Sequence, residues 1–148
     1  MRKNFIISKQ SDFDGFNSFQ CSLCGAGFKL DSEEVQAGDV LELFCPSCGI
    51  PMPKSSYLTD DILKHARQVA KNEAIKELSK IFKGLQKSSG KNNGLTFKAG
   101  KPILTTNTTP LYEQDDLDEI KFTCCDKNAK LDIADKIGNP FCPYCGVN

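Results

Sequence analysis

Two short turns constrain this chain more than any other feature: Cys21-Ser22-Leu23-Cys24 and Cys45-Pro46-Ser47-Cys48, with 20 residues between them. A Cys-x2-Cys turn brings two thiolates to one side of a soft cation, and a second such turn closes a tetrahedron around it. The separation suits two hairpin tips facing one zinc ion. Gly25 and Gly49 follow the second cysteine of each pair, where the turn often needs positive φ and glycine adopts it without steric cost. Val40-Leu41-Glu42-Leu43-Phe44 reads as a strand of such a hairpin. Disulfides or a redox dithiol fit less well, because no βαβ pattern surrounds either pair. The spacing therefore assigns Cys21, Cys24, Cys45 and Cys48 to one structural zinc site.

The C-terminal segment repeats the pattern. Cys24 to Asp31, Cys-Gly-Ala-Gly-Phe-Lys-Leu-Asp, aligns without a gap on Cys125 to Asp132, Cys-Asp-Lys-Asn-Ala-Lys-Leu-Asp. Phe44-Cys45-Pro46-Ser47-Cys48-Gly49 matches Phe141-Cys142-Pro143-Tyr144-Cys145-Gly146, and Phe16 and Phe19 fall on Leu117 and Ile120. Internal repetition of a small unit is the simplest reading.

One position breaks the repeat. The alignment puts Phe122 where Cys21 should be, and a displaced Cys124 stands directly before Cys125. Adjacent Cα atoms are only about 3.8 Å apart, and in extended chain their side chains point to opposite faces. Both reach one metal only if the backbone turns sharply between them. Asp126 takes the usual glycine position, and Asp tolerates left-handed backbone better than most residues. Three readings compete. In the favoured one, Cys124, Cys125, Cys142 and Cys145 all bind a second zinc. In another, Cys125 binds without Cys124, and water or Asp126 completes the shell. In the third, packing alone holds the segment. An open fourth position is what catalytic zinc requires, but no Glu-His arrangement supplies a general base, so the chain reads as a non-enzyme. His65, the only histidine, reads as a solvent-facing helical residue.

Between the cysteine segments lies a helix. Thr59 caps it, Asp60 and Asp61 complement its positive end, and no Pro or Gly intervenes until Gly84. Leu63, Ala66, Ala70, Ala74, Leu78, Ile81 and Leu85 form an apolar stripe at steps of three and four, expected to face inward as a spine for both lobes. The expected fold is a small α+β, metal-stabilised protein: two zinc-ribbon (β-hairpin) lobes joined by a long amphipathic α-helix. Its segments are an N-terminal ribbon over 1–58, the helix over 59–87, a Gly/Asn/Ser/Thr-rich linker over 88–110 with a short strand at Leu95-Thr96-Phe97, and a C-terminal ribbon over 111–148. Each lobe is too small for a large core, and the chain has no Trp, so metal is expected to support folding.

The N-terminus, Met1 to Ile7, starts basic and turns apolar but stops at Ser8-Lys9, too short for a signal peptide, and reads as a strand. No apolar run is long enough to span a bilayer. A cytoplasmic chain is expected, and there paired cysteines bind metal more often than they form disulfides.

Charge is unevenly spread around a net of zero. Residues 1–58 carry 5 basic and 7 acidic side chains, residues 59–101 carry 10 and 4, and residues 102–148 carry 4 and 8. Lys76, Lys80, Lys83 and Lys87 share one face of the helix, a stripe that attracts phosphate if it is not simply solvated. The acidic run Glu113 to Glu119 repels nucleic acid, or docks on a basic helix.

The chain resembles a group of largely uncharacterised bacterial proteins built from a zinc ribbon, a central helix and a second zinc ribbon. The resemblance rests on Cys21 to Cys48, Thr59 to Leu85 and Phe141 to Gly146, and spans most of the chain. It implies the fold and the metal. The function expected from the sequence is a non-catalytic interaction or adaptor role toward an unidentified protein partner, with Zn2+ at two sites. The alternative is nucleic-acid binding through the lysine stripe, and the least supported is a metal-dependent enzyme or redox protein.

Overall fold

A computed structural model describes residues 4–88, 94, 98 and 100–148. The elements in chain order are β1 (Lys9–Gln10), β2 (Phe16–Gln20), β3 (Gly27–Asp31), α1 (Ser32–Gln36), β4 (Glu42–Phe44), β5 (Pro51–Pro53), a 3-10 turn at Lys54–Tyr57, α2 (Asp60–Ser88), β6 (Leu111–Tyr112), β7 (Asp118–Phe122), β8 (Lys127–Leu131) and α3 (Ile133–Ile137). This is a small α+β protein with one long helix and antiparallel sheets, plus one short parallel pair, β1 with β6. The strand expected over Met1 to Ile7 is not formed at its described residues, where Phe5 and Ile6 are exposed and pair with no described strand; the first strand, β1, lies beyond it at Lys9–Gln10. The expected strand at Leu95-Thr96-Phe97 lies outside the described residues. The chain divides into two compact units, Met1–Ile62 with Pro110–Asn148, and Leu63–Thr109.

The first unit holds both cysteine segments. The sequence reading gives each a lobe of its own, whereas in the structure their strands form one four-stranded sheet in the order β2-β3-β8-β7. The physical reason is core size. Phe28, Leu30, Ala129 and Leu131 on the two central strands are fully buried, together with Leu43 and Tyr57. A lone hairpin has too little apolar surface to cover such side chains, and two hairpins placed edge to edge cover each other's.

The join is symmetric. β3 pairs with β8 so that Phe28 faces Leu131, Lys29 faces Lys130 and Leu30 faces Ala129. In the repeat alignment Lys29 and Lys130 are counterparts, so the pairing turns about them as a two-fold axis. The second repeated segment obeys the same axis. The Phe44 N–H donates to the Pro143 carbonyl at 2.8 Å, and the Phe141 N–H donates to the Pro46 carbonyl at 2.9 Å. A Cβ placed on Gly49 would lie 3.1 Å from the Phe141 ring, and one on Gly146 would lie 2.6 Å from the Phe44 ring. The two halves meet as protomers meet in an isologous dimer, each patch on its own copy.

The repeated Lys-Leu-Asp also becomes legible. Leu30 and Leu131 point into the core, and Lys29 and Lys130 lie at the axis. Asp31 caps α1 by accepting the Glu33 and Glu34 N–H groups, and Asp132 caps α3 by accepting that of Asp135. Tyr57 closes the core from the first half only. Its ring meets Phe28 edge-on at 5.6 Å, and its hydroxyl donates to the carbonyls of Leu43 (2.9 Å) and Ile50 (3.1 Å).

The described residues of the second unit are most of α2 with residues 94, 98 and 100–109. The side-chain amide of Asn72 brackets the backbone of Thr106, donating to its carbonyl at 2.6 Å and accepting its N–H at 3.1 Å. Gln68 donates to the Asn72 oxygen and orients it. The stripe expected to face inward is largely exposed: Leu78 retains 44%, Ile81 57% and Leu85 47% of its surface. The buried residue of α2 is Ile75. With seven apolar side chains within three-four spacing of one another, the periodicity alone does not decide which face is covered; the polar Asn72 and its partner Thr106 mark a covered face that hydropathy does not detect.

Candidate metal centres

All eight predicted cysteines are unpaired by disulfides, and they gather into two groups that could hold a metal ion: Cys21, Cys24, Cys45 and Cys48, and Cys124, Cys125, Cys142 and Cys145. Within each group every sulfur lies within 4.8 Å of the others.

In the first group, both turns are built alike. At the end of β2 the Cys21 N–H donates to the Ala26 carbonyl and the Gly25 N–H donates back to Cys21. Between β4 and β5 the Cys45 N–H donates to Ile50 and the Gly49 N–H donates to Cys45. Gly25 and Gly49 have φ of 78° and 70°, as the turn demands. The Cys21 and Cys48 sulfurs are 3.9 Å apart and those of Cys24 and Cys45 3.5 Å. A tetrahedron with metal–sulfur bonds of about 2.3 Å has edges of about 3.8 Å. The donor set therefore fits a tetrahedral, thiolate-loving cation. Cys21 and Cys45 are buried, Cys48 is half-buried and Cys24 is exposed.

In the second group, one turn is regular. The Cys142 N–H donates to Val147, the Gly146 N–H donates to Cys142, and Gly146 has φ of 73°. The other turn keeps its backbone and moves its ligand. Phe122 pairs with Lys127 at the ladder position that Cys21 and Ala26 hold in the first half, and Asp126 adopts φ of 56° in the place of Gly25. Phe122 is buried there. The missing thiol is replaced by Cys124, two residues later in the same turn, with its sulfur 3.5 Å from that of Cys145. Asp126, weighed as a ligand from the sequence, is engaged by the Lys121 ammonium at 2.6 Å. In this group only Cys142 is buried; Cys125 and Cys145 are half-buried and Cys124 is exposed.

Electrostatics point the same way. Burial pushes the Cys21 thiol up, but the N–H groups of Cys24 and Leu23 and the neighbouring thiols overcome it and bring the pKa down to about 7. Burial pushes Cys45 up despite N–H donors from Cys48 and Ser47, and raises Cys24 as well. The second half repeats this. The Val147 N–H leads in lowering Cys145, while burial raises Cys142 and, with Cys145, pushes Cys125 up to about 11. One thiolate in each group inhibits ionisation of its neighbours, and a bound cation would allow all four to ionise together.

No protein-family model matches the chain, and comparison with curated proteins and with solved structures finds no match.

The other predicted residues lie elsewhere. Lys76, Lys80, Lys83 and Lys87 are exposed on α2; Lys76 pairs with Glu73 at 3.7 Å and Lys80 with Glu77 at 3.1 Å. His65 is half-buried on α2 and belongs to neither cysteine group. No helix among the described residues is long and apolar enough to cross a membrane.

Sequence reasoning missed a buried charge cluster. The Lys130 ammonium meets Asp12 at 2.9 Å, Asp14 at 2.7 Å and Asp115 at 3.0 Å, and lies over the Phe16 ring. Lys29 meets Asp116 at 3.3 Å and Asp12 at 3.7 Å, with no hydrogen-bond partner for its nitrogen among the described residues. Burial opposes the Lys130 charge, but its three carboxylates hold the pKa above the usual lysine value; burial likewise opposes the Asp12 charge, and the Phe16 N–H and Lys130 hold its carboxyl below the usual range. Glu113, nearly fully buried, accepts from the Ser18 N–H and hydroxyl and pairs with Lys9 at 2.9 Å. Glu113, Asp115 and Asp116 of the acidic run, expected to repel nucleic acid or to dock on a basic helix, are thus engaged within their own unit. The one available signal was a lysine repeated between apolar residues, in Phe28-Lys29-Leu30 and Ala129-Lys130-Leu131.

Proposed function

We propose that this protein is a non-catalytic zinc protein in which each four-cysteine group holds one Zn2+ ion, the two hairpin pairs being zinc ribbons fused through a shared sheet, and that it serves as an adaptor for a protein partner in the cytoplasm. The carrying observation is that the four sulfurs of each group lie within 4.8 Å of one another, with contacts of 3.5 to 3.9 Å in the first and 3.5 Å in the second, close to the edge of a zinc–thiolate tetrahedron. Four protein ligands leave no open position for substrate or activated water, which is the arrangement of structural zinc. The resemblance to bacterial proteins with two ribbons and a helix agrees with this reading.

A nucleic-acid role through Lys76, Lys80, Lys83 and Lys87 is the second reading, favoured by their exposure along one helix. Ion pairs to Glu73 and Glu77 reduce the charge two of them offer to phosphate. Retrieval of the zinc-loaded protein from its native host, with and without prior chelation, tests the adaptor reading: protein partners should be captured only when the metal is present. Titration with mixed DNA and RNA probes across salt concentration tests the other. Weak or absent binding at physiological salt supports the adaptor. Submicromolar binding whose salt slope falls by about one unit per lysine replaced with Gln would transfer the function to the helix.

A further inference from the structure

The two cysteine groups differ in how their sulfurs are shielded. In the first, each close pair, Cys21 with Cys48 and Cys24 with Cys45, includes one buried sulfur. In the second, the close pair joins Cys124, exposed at the apex of its turn, to Cys145, which is half-buried. The displaced ligand therefore does more than complete a shell. It puts two accessible thiols 3.5 Å apart, so a closing movement of about 1.5 Å brings them to bonding distance. Cys124 lies between Thr123 and Cys125 in a turn whose outer residues are exposed, and Cys145 is in the last turn of the described chain. Neither position requires the core to open.

We propose that Cys124 and Cys145 form a site of reversible thiol oxidation, at which a hydroperoxide joins them in a disulfide and expels the metal of the second group. The inference rests on the zinc reading above. The Cys124 thiolate attacks the peroxide, the O–O bond breaks, and Cys124 becomes a sulfenic acid while the leaving oxygen departs as hydroxide or alkoxide. The Cys145 thiolate then attacks the Cys124 sulfur and displaces a second hydroxide. Two sulfurs lose two electrons, the peroxide gains them, and the released bases take protons from water. With two ligands consumed, Cys125 and Cys142 alone do not retain the ion, which leaves as the aqueous cation. The first group loses its metal more slowly, because two of its four sulfurs, Cys21 and Cys45, are buried, against Cys142 alone in the second.

The test uses the full zinc-loaded chain, hydrogen peroxide and a coloured zinc chelator, followed by peptide mapping after alkylation. The expected result is release of one of two zinc equivalents, about tenfold faster than the other, with a Cys124–Cys145 cross-link that reductant reverses. Cys21, Cys24, Cys45 and Cys48 should remain reduced while that first equivalent leaves. Zinc leaving both groups together, or a cross-link joining other cysteines, would overturn the proposal. Zinc content measured before peroxide separates the two levels of the argument. Less than two zinc ions per chain contradicts the zinc reading, whereas two ions released without selectivity contradicts only this inference. The peptide map reads the thiol pair even in metal-free protein, and a Cys124→Ala chain that still folds should lose the cross-link.

Discussion

The two halves of the sheet are the same design executed with different precision. The first cysteine group comes from two turns with matching hydrogen bonds and matching glycines. The second comes from one such turn and one whose ligand has moved two residues along, from the ladder position to the apex. The backbone barely registers the change. Asp126 takes the left-handed conformation of Gly25, and Phe122 fills the buried place of Cys21. What the fold requires of this turn is a hydrogen-bonding pattern and a positive φ; the sulfur can be delivered from more than one point on it. The cost falls on shielding, since the relocated sulfur is exposed.

The comparison breaks most visibly at the buried ligands. Cys45→Ser and Cys142→Ser each remove a fully buried sulfur beside the shared core, and metal-binding energy is folding energy in units this small. Both should abolish the cooperative thermal transition. Cys124→Ser should keep that transition and weaken only the second site, as read by calorimetric melting alongside metal content. Equal damage from Cys124→Ser and Cys45→Ser would mean the two groups are not different in kind.

The lysines on the axis sharpen the comparison next. Symmetry makes Lys29 and Lys130 equivalent, yet Lys130 has three carboxylates within 3.0 Å and Lys29 has none closer than 3.3 Å. Lys130→Met leaves Asp12 buried with a poor partner and should cost about 3 kcal/mol in denaturant unfolding, since breaking one side of a buried pair is expensive. Lys29→Met should cost less than about 1 kcal/mol, because it removes a buried nitrogen without a hydrogen bond among the described residues, leaves Asp12 paired with Lys130 and leaves Asp116 exposed to water. Acid and base should reveal the same cluster. The lowered Asp12 pKa contributes stability above the ordinary carboxylate pKa that is lost as pH falls through its folded value. The raised Lys130 pKa contributes stability below the ordinary lysine pKa that is lost as pH rises past it.

The smallest effects lie at the left-handed positions. Gly25→Ala should cost about 1 kcal/mol, and Asp126→Gly should gain up to about that much, offset by the loss of the exposed Lys121 pair. Chemical melts of the two variants should move in opposite directions. A loss from Asp126→Gly as large as that from Gly25→Ala would show that Asp126 does more than hold the backbone.

The repeat was legible in the sequence because it is carried by residues with fixed duties. The cysteines gather into two groups that could hold a metal, Phe44 and Phe141 stack against the opposite glycines, and Asp31 and Asp132 cap short helices. The positive φ at Asp126 was legible for the same reason, since few residues serve there. The shared sheet was not, because strand partners are chosen across about a hundred residues of chain, and the alternation of Phe28-Lys29-Leu30 says only that one face is apolar. The buried lysines mislead any hydropathy reading, as their partners Asp12, Asp115 and Asp116 come from distant loops. On α2 the apolar stripe was read correctly as a pattern and wrongly as a buried face.

The two halves of the sheet present four-cysteine groups of unequal shielding, each able to close around one metal ion. Elemental analysis combined with native mass spectrometry of the purified chain, before and after graded chelation, reads this directly. Two zinc ions per chain, with the second-group ion lost first while the first remains, is the predicted result. Iron in place of zinc, fewer than two zinc ions per chain, or earlier loss from Cys21, Cys24, Cys45 and Cys48 would contradict it.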